Sequence, residues 1–241
     1  MPRVRVAVVG DAHLIEQCAP SGPEIERVGL DGGSAPPDVV LAFGADSLPE
    51  AGAPVLAWLP PGAPAHDGLP QHVRVLASPG SGAHAWRRMP LPVADALFAP
   101  GEPPVGETGR ALWLTPDGPR RRHYLERFDH SIELVEHPDD AGVALNLHDG
   151  GEPCFEHRAA RALAANKLLV SETLEPSFGL EAGIDYLEAR DWADLFVSAE
   201  NAARLPGAYS SVRLRGRRKA EWFRASSVTA RLMTDLRLER G

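Results

Sequence analysis

Short, unbroken apolar runs recur along the chain, and they constrain its fold more than any other feature. Val4–Val9, Val39–Phe43, Val55–Leu59 and Val73–Ala77 are rich in Val, Leu and Ala and are bounded by Gly, Pro or Asp. Runs without polar alternation suit strands buried on both faces, as in a parallel sheet covered by helices. The helical stretches between them, Leu14–Cys18 and Ser47–Ala51, are stubby. Residues 1–98 therefore predict a small, reduced Rossmann-like domain. The proline-rich stretch around 90–104 has no period and reads as a linker.

A second α/β pattern follows over residues 99–241. Ala111–Leu114, Ile132–Val135, Val143–Leu147 and Leu168–Ser171 predict strands, and Pro119–Phe128 and Phe155–Ala165 predict helices. Pro119 suits the first helical position, where its missing N–H costs nothing. From Asp191 the pattern turns helical, over 191–204, 208–224 and 226–239. The predicted fold class is α/β: two Rossmann-like parallel sheets, the first reduced, with a helical C-terminal tail.

Composition narrows the function classes. Hydrophobic residues are 44 % and charged residues 24 %, which suits a globular chain and disfavours disorder. No apolar run reaches the ~20 residues of a membrane span, and MPRVRVAVVG reads as a strand entering a glycine turn rather than a signal peptide. Cys18 and Cys154 stand far apart, giving neither a disulfide framework nor a zinc knuckle, and a reducing cytoplasm is expected. The net charge of −8 argues against nucleic-acid partners. Residues 206–241 nevertheless carry nine basic against three acidic side chains, either to face phosphates or to dock on the acidic stretch 99–205. Uncovered edge strands in the small first domain leave a homo-oligomer open.

In open α/β sheets ligands bind beyond the carboxyl ends of the strands, which singles out five loops. Gly10-Asp11-Ala12-His13 has one glycine and no dinucleotide fingerprint; His13 is either a local hydrogen-bonding residue or an acid/base. Thr115–Arg122 combines a helix start with three arginines, a basic turn or a diphosphate site. Asn146–Pro153 offers His148, Asp149 and Glu152, without a recognisable metal-ligand spacing. Ser171–Leu180, with Glu172 and Gly179, closes the next strand. Gly80–Trp86 has small residues that permit close backbone approach. Nucleophile-elbow, Walker A and H-E-x-x-H motifs are all missing from the sequence.

One resemblance adds to this reading. Across 143–224 the chain resembles the C-terminal domain of GT-B glycosyltransferases, nearest to the group-1 bacterial branch that includes spore-maturation-type proteins. The matching positions are Asn146, His148, Phe155, Arg158, Ala162, Ala164, Ser171, Glu172, Gly183, Asp185, Tyr186, Gly216, Arg217 and Phe223; Asp95 and Phe98 resemble the interdomain linker. Arg161 stands where the family has the glutamate that holds the donor ribose, and Asn166 where it has a glycine. Glu156 precedes Arg161 by five residues, so helical periodicity turns it off that face, and Glu172 is the better replacement.

The resemblance implies transfer of a sugar from a nucleotide diphosphate sugar to an acceptor in an interdomain cleft, without a metal or other cofactor. It implies a donor site of Arg120, Arg121, His148, Phe155, Glu156, Arg158, Glu172 and Gly179, with His13 or Asp11 as acceptor base. The alternative is a catalytically silent relative that binds a nucleotide, a glycan or a partner protein; a purely regulatory α/β module explains less of the layout.

Overall fold

In the computed structural model, residues 3–30, 35–44, 48–50, 52–59, 72–77, 85–98, 109–114, 118–126, 132–136, 140–148 and 154–239 are described, and the apolar runs in them become parallel strands. The chain divides into two units, Met1–Leu97 with Trp222–Gly241, and Phe98–Glu221. Among the described residues no helix is long and apolar enough to cross a membrane.

The first unit holds β1 (Val4–Gly10), α1 (Ala12–Cys18), β2 (Ile25–Arg27), β3 (Val39–Phe43), β4 (Val55–Leu59), β5 (Val73–Ala77) and β6 (Arg87–Arg88). Its strands form one parallel sheet in the order β2-β1-β3-β4-β5-β6. The expected helix 47–51 lies partly outside the described residues, and 48–50 are irregular. Both faces of the central strands are buried, as their unbroken apolar character requires. Val6, Leu41, Phe43, Leu56 and Trp58 line one face, with the Phe43 and Trp58 rings stacked at 4.9 Å, and Ala7, Val40, Ala42, Val55 and Ala57 line the other. Burying each large apolar side chain contributes about 1.5–3 kcal/mol before entropy is charged.

The helix α6 (Ala225–Leu238) covers that first face through Val228, Leu232, Met233 and Leu236. This corrects the domain boundary read from sequence, which grouped the closing helix with the second domain. An amphipathic stripe declares that a helix is buried but not against which sheet. The return is pinned at Val93, whose N–H donates to the Phe223 carbonyl at 2.8 Å and whose carbonyl accepts the Ala225 N–H at 2.9 Å. Asp95 then caps α6 from a distant part of the chain, accepting from Ser226 Oγ at 2.6 Å and from the Ser21 N–H at 2.9 Å.

The second unit contains β7 (Arg110–Trp113), α2 (Pro119–Leu125), β8 (Glu133–Val135), β9 (Val143–Asn146), α3 (His157–Ala164), β10 (Leu168–Ser171), β11 (Leu187–Glu188), α4 (Trp192–Arg204) and α5 (Ser210–Ala220). Its parallel sheet runs β11-β10-β9-β7-β8. Renumbered from its own first strand, this is the doubly wound order 2-1-3-4-5, which the first sheet shares and extends by one strand. The expected α/β class with two Rossmann-like parallel sheets therefore stands. Chain direction across the sheet reverses between β7 and β9, the kind of switch point beside whose carboxyl strand ends open α/β sheets bind ligands. Gly216 lets α5 lie close: a Cβ there would sit 2.3 Å from the Asp185 carbonyl oxygen and 2.8 Å from Leu163 Cδ2.

Candidate functional site

At the carboxyl end of β9, Asn146 is completely buried and must find partners within the protein. Its amide nitrogen donates to Ser171 Oγ at the end of β10 (3.0 Å), and its oxygen accepts Arg158 Nε from α3 (2.8 Å). Arg158 Nη2 also donates to the Leu147 carbonyl at 2.9 Å and to Glu156 Oε1 at 2.6 Å. One guanidinium fork thus fastens the loop after β9 to the start of α3, a planar geometry that only arginine supplies.

His148 continues the network. Its ring is buried, and Nε2 lies 2.8 Å from the Thr173 carbonyl, which can only accept, so Nε2 carries hydrogen. Nδ1 faces Glu156 Oε2 at 3.3 Å and Cys154 Sγ at 3.4 Å. Burial works against a charged ring, but its hydrogen bonds to Cys154, Glu156 and Thr173 outweigh that and raise the pKa from 6.5 to about 10. Burial pushes Glu156 upward in turn, and the His148 hydrogen bond with the neighbouring Arg158 charge brings its carboxyl below the ordinary 4.5.

Glu172, just past β10, accepts the His148 backbone N–H at 2.8 Å and pairs with Arg120 on α2. Arg120 arrives from the β7 side, so the pair spans the switch point between the two directions of winding. The Arg120 guanidinium lies 5.5 Å from the Tyr124 ring centroid, and its buried Nε finds no acceptor among the described residues. A buried donor without an acceptor among the described residues is uncommon in a folded protein.

The structure thus brings Arg120, His148, Glu156, Arg158 and Glu172 into one network in the second unit. Arg121 turns to Glu136 instead. Phe155 is buried edge-on against Phe178 at 5.2 Å, a packing residue behind the loop. Gly179, at φ +86°, offers its carbonyl to Lys219 Nζ at 2.8 Å. Lys219 and Arg215 also approach the buried Asp185 at 3.9 and 3.8 Å, so this part of the basic tail docks on an acidic residue of its own unit. Asp11 and His13 belong to the first unit. Asp11 Oδ1 caps α1 by accepting the Leu14 N–H at 2.9 Å, and His13 pairs with Gln17 one turn on. Asp149, Glu152, residues 115–117 and residues 80–84 lie outside the described residues.

Cys154 was missed by the sequence reading, and its signal was its position, six residues after His148 and two before Glu156. Glu156 also sits elsewhere than periodicity placed it. It precedes the first residue of α3, where the backbone is extended (φ −103°, ψ 140°), so a helical angle does not apply.

No protein-family model matches the chain, and no curated protein matches it either. Among solved structures it is similar to an alpha1,3-fucosyltransferase, at 10 % identity over 88 % of this chain and 81 % of that one, with a TM-score of 0.45. It is likewise similar to an alpha1,3-fucosyltransferase with GDP-fucose, at 9 % identity and a TM-score of 0.43, with the same coverage.

Proposed function

We propose that the protein is a glycosyltransferase that takes a nucleotide diphosphate sugar as donor and binds it at the β7/β9 switch point of the second unit. The observation that carries this reading is Arg120, a cation paired with Glu172 at the strand ends of the switch point, with a buried Nε–H unmatched by any described acceptor. Departure of a nucleoside diphosphate builds negative charge, and fixed cations positioned for it lower the barrier. Arg120 is assigned to the diphosphate with Arg121 behind it, and the uncapped start of α3 adds the positive end of a helix dipole.

Glu172 is assigned to the ribose hydroxyls, in the role for which the resemblance implies a glutamate where this chain has Arg161. Being buried, His148 and Phe155 act from behind the loop, with Glu156 and Arg158 holding its shape and Gly179 on its rim. His13 or Asp11 of the first unit is assigned as acceptor base. On this reading the arginines do the work of neutralising the diphosphate, and no metal is needed for that step.

The test is incubation of the purified protein with each common nucleotide diphosphate sugar, with released nucleoside diphosphate as readout. Turnover with one donor, lost in Arg120→Ala, supports the transferase. Arg161 favours a second reading, a silent relative that binds a donor without turning it over; binding with no release for any sugar or acceptor supports that reading instead.

A further inference from the structure

His148, Cys154 and Glu156 each present one metal-ligating atom, and these atoms lie within 4.8 Å of one another. From this arrangement we propose that the second unit holds a zinc ion on His148 Nδ1, Cys154 Sγ and Glu156 Oε2, with the fourth position open. Two edges of this triangle, both from Nδ1, carry the proposal. Tetrahedral zinc with ordinary bond lengths separates a thiolate sulfur from an imidazole nitrogen by about 3.5 Å, and that nitrogen from a carboxylate oxygen by about 3.3 Å. Here Nδ1 stands 3.4 Å from Sγ and 3.3 Å from Oε2.

The surrounding bonds are those a zinc site requires. A ligating histidine donates its other N–H to a carbonyl or carboxylate, which fixes the tautomer. His148 Nε2–H donates to the Thr173 carbonyl at 2.8 Å, leaving Nδ1 for the metal. Glu156 Oε1 is held by Arg158 Nη2 at 2.6 Å, so Oε2 is the oxygen available to bind. Arg158 is itself fastened to Asn146 and Leu147. Thiolate and imidazole select zinc over magnesium or manganese, which prefer oxygen. Thiolate and carboxylate together also neutralise a divalent charge in this half-buried place. The ion would lock the β9 loop to the start of α3, setting the shape of the surface that faces Arg120. This inference rests on the three side chains and not on the glycosyltransferase reading.

The experiment uses tag-free, reduced, full-length protein stripped of metal by a chelator and titrated with cobalt(II), then with zinc in competition. The expected result is one equivalent bound, with a thiolate-to-cobalt charge-transfer band and the intense visible bands of tetrahedral cobalt. Cys154→Ser should abolish the charge-transfer band, and Glu156→Gln should weaken binding by more than about tenfold. Cys18→Ser, a control in the first unit, should leave both unchanged. Circular dichroism of each variant separates lost binding from lost folding. Absence of a stoichiometric site in the parent protein, or binding by folded Cys154→Ser as tight as the parent's, would overturn the proposal. Nucleotide binding is read separately, so its failure leaves this result standing.

Discussion

Glu172 holds His148 by its backbone: one carboxylate oxygen accepts the His148 N–H at 2.8 Å while the other pairs with Arg120. One side chain thus joins the ends of β9 and β10 to a cation from across the switch point. Glu172→Gln keeps an oxygen for the His148 N–H but loses the charge that holds Arg120, whereas Glu172→Ala loses both. The alanine variant should cost about 1–3 kcal/mol and the glutamine variant less, because only the former orphans a partly buried N–H. Urea unfolding with unchanged slopes would show this order; equal costs would mean that the backbone bond contributes little.

Gly216 should tolerate no side chain. A Cβ would press to 2.3 Å on the Asp185 carbonyl oxygen, which is backbone and cannot rotate away. Gly216→Ala is expected to destabilise the second unit by about 1–3 kcal/mol through overpacking, despite alanine's better helix propensity. A thermal midpoint at or above the parent's would contradict this.

Asp95 acts as a tertiary cap for α6, with Ser226, Ser21 and Arg224 as partners. Asp95→Ala should cost about 1–2 kcal/mol. Hydrogen exchange should quicken first in the opening turn of α6, where the Ser226 N–H loses its acceptor. Uniform quickening across the first sheet, with no excess in α6, would locate the effect elsewhere.

Acid should weaken the first unit through Asp38. The Arg5 side-chain hydrogen bond, followed by the Arg5 backbone N–H, holds this carboxyl below its ordinary 3.8. A depressed carboxylate contributes stability that is complete above its unfolded value and disappears as pH falls through the folded one. Asp38→Asn should therefore lower stability at neutral pH and flatten its decline on acidification below 3.8. Both side chains are about one-third exposed, so the effect is small and should shrink further in salt. Parallel pH profiles for parent and variant would contradict it.

The central strands were legible because burial on both faces leaves unbroken apolar runs; Val39–Phe43 and Leu168–Ser171 begin and end where the sequence places them. The edge strands β2, β6 and β11 were not. They have three, two and two residues, and a pair such as Arg87–Arg88 carries no apolar signature. The polar residues at the strand ends were legible as a group, since the doubly wound rule points there whatever the details. Their pairing was not, because the Arg158 fork and the His148–Cys154–Glu156 cluster form only when α3 docks beside β9.

The most direct test of the donor site is a thermal-shift panel of UDP, GDP, CDP and TDP with their sugars. A ligand at one hundred times its dissociation constant adds about 2.7 kcal/mol of stability. The account predicts a shift confined to one base and abolished by Arg120→Ala in a folded variant. No shift from any nucleotide, or one that persists without Arg120, would contradict it.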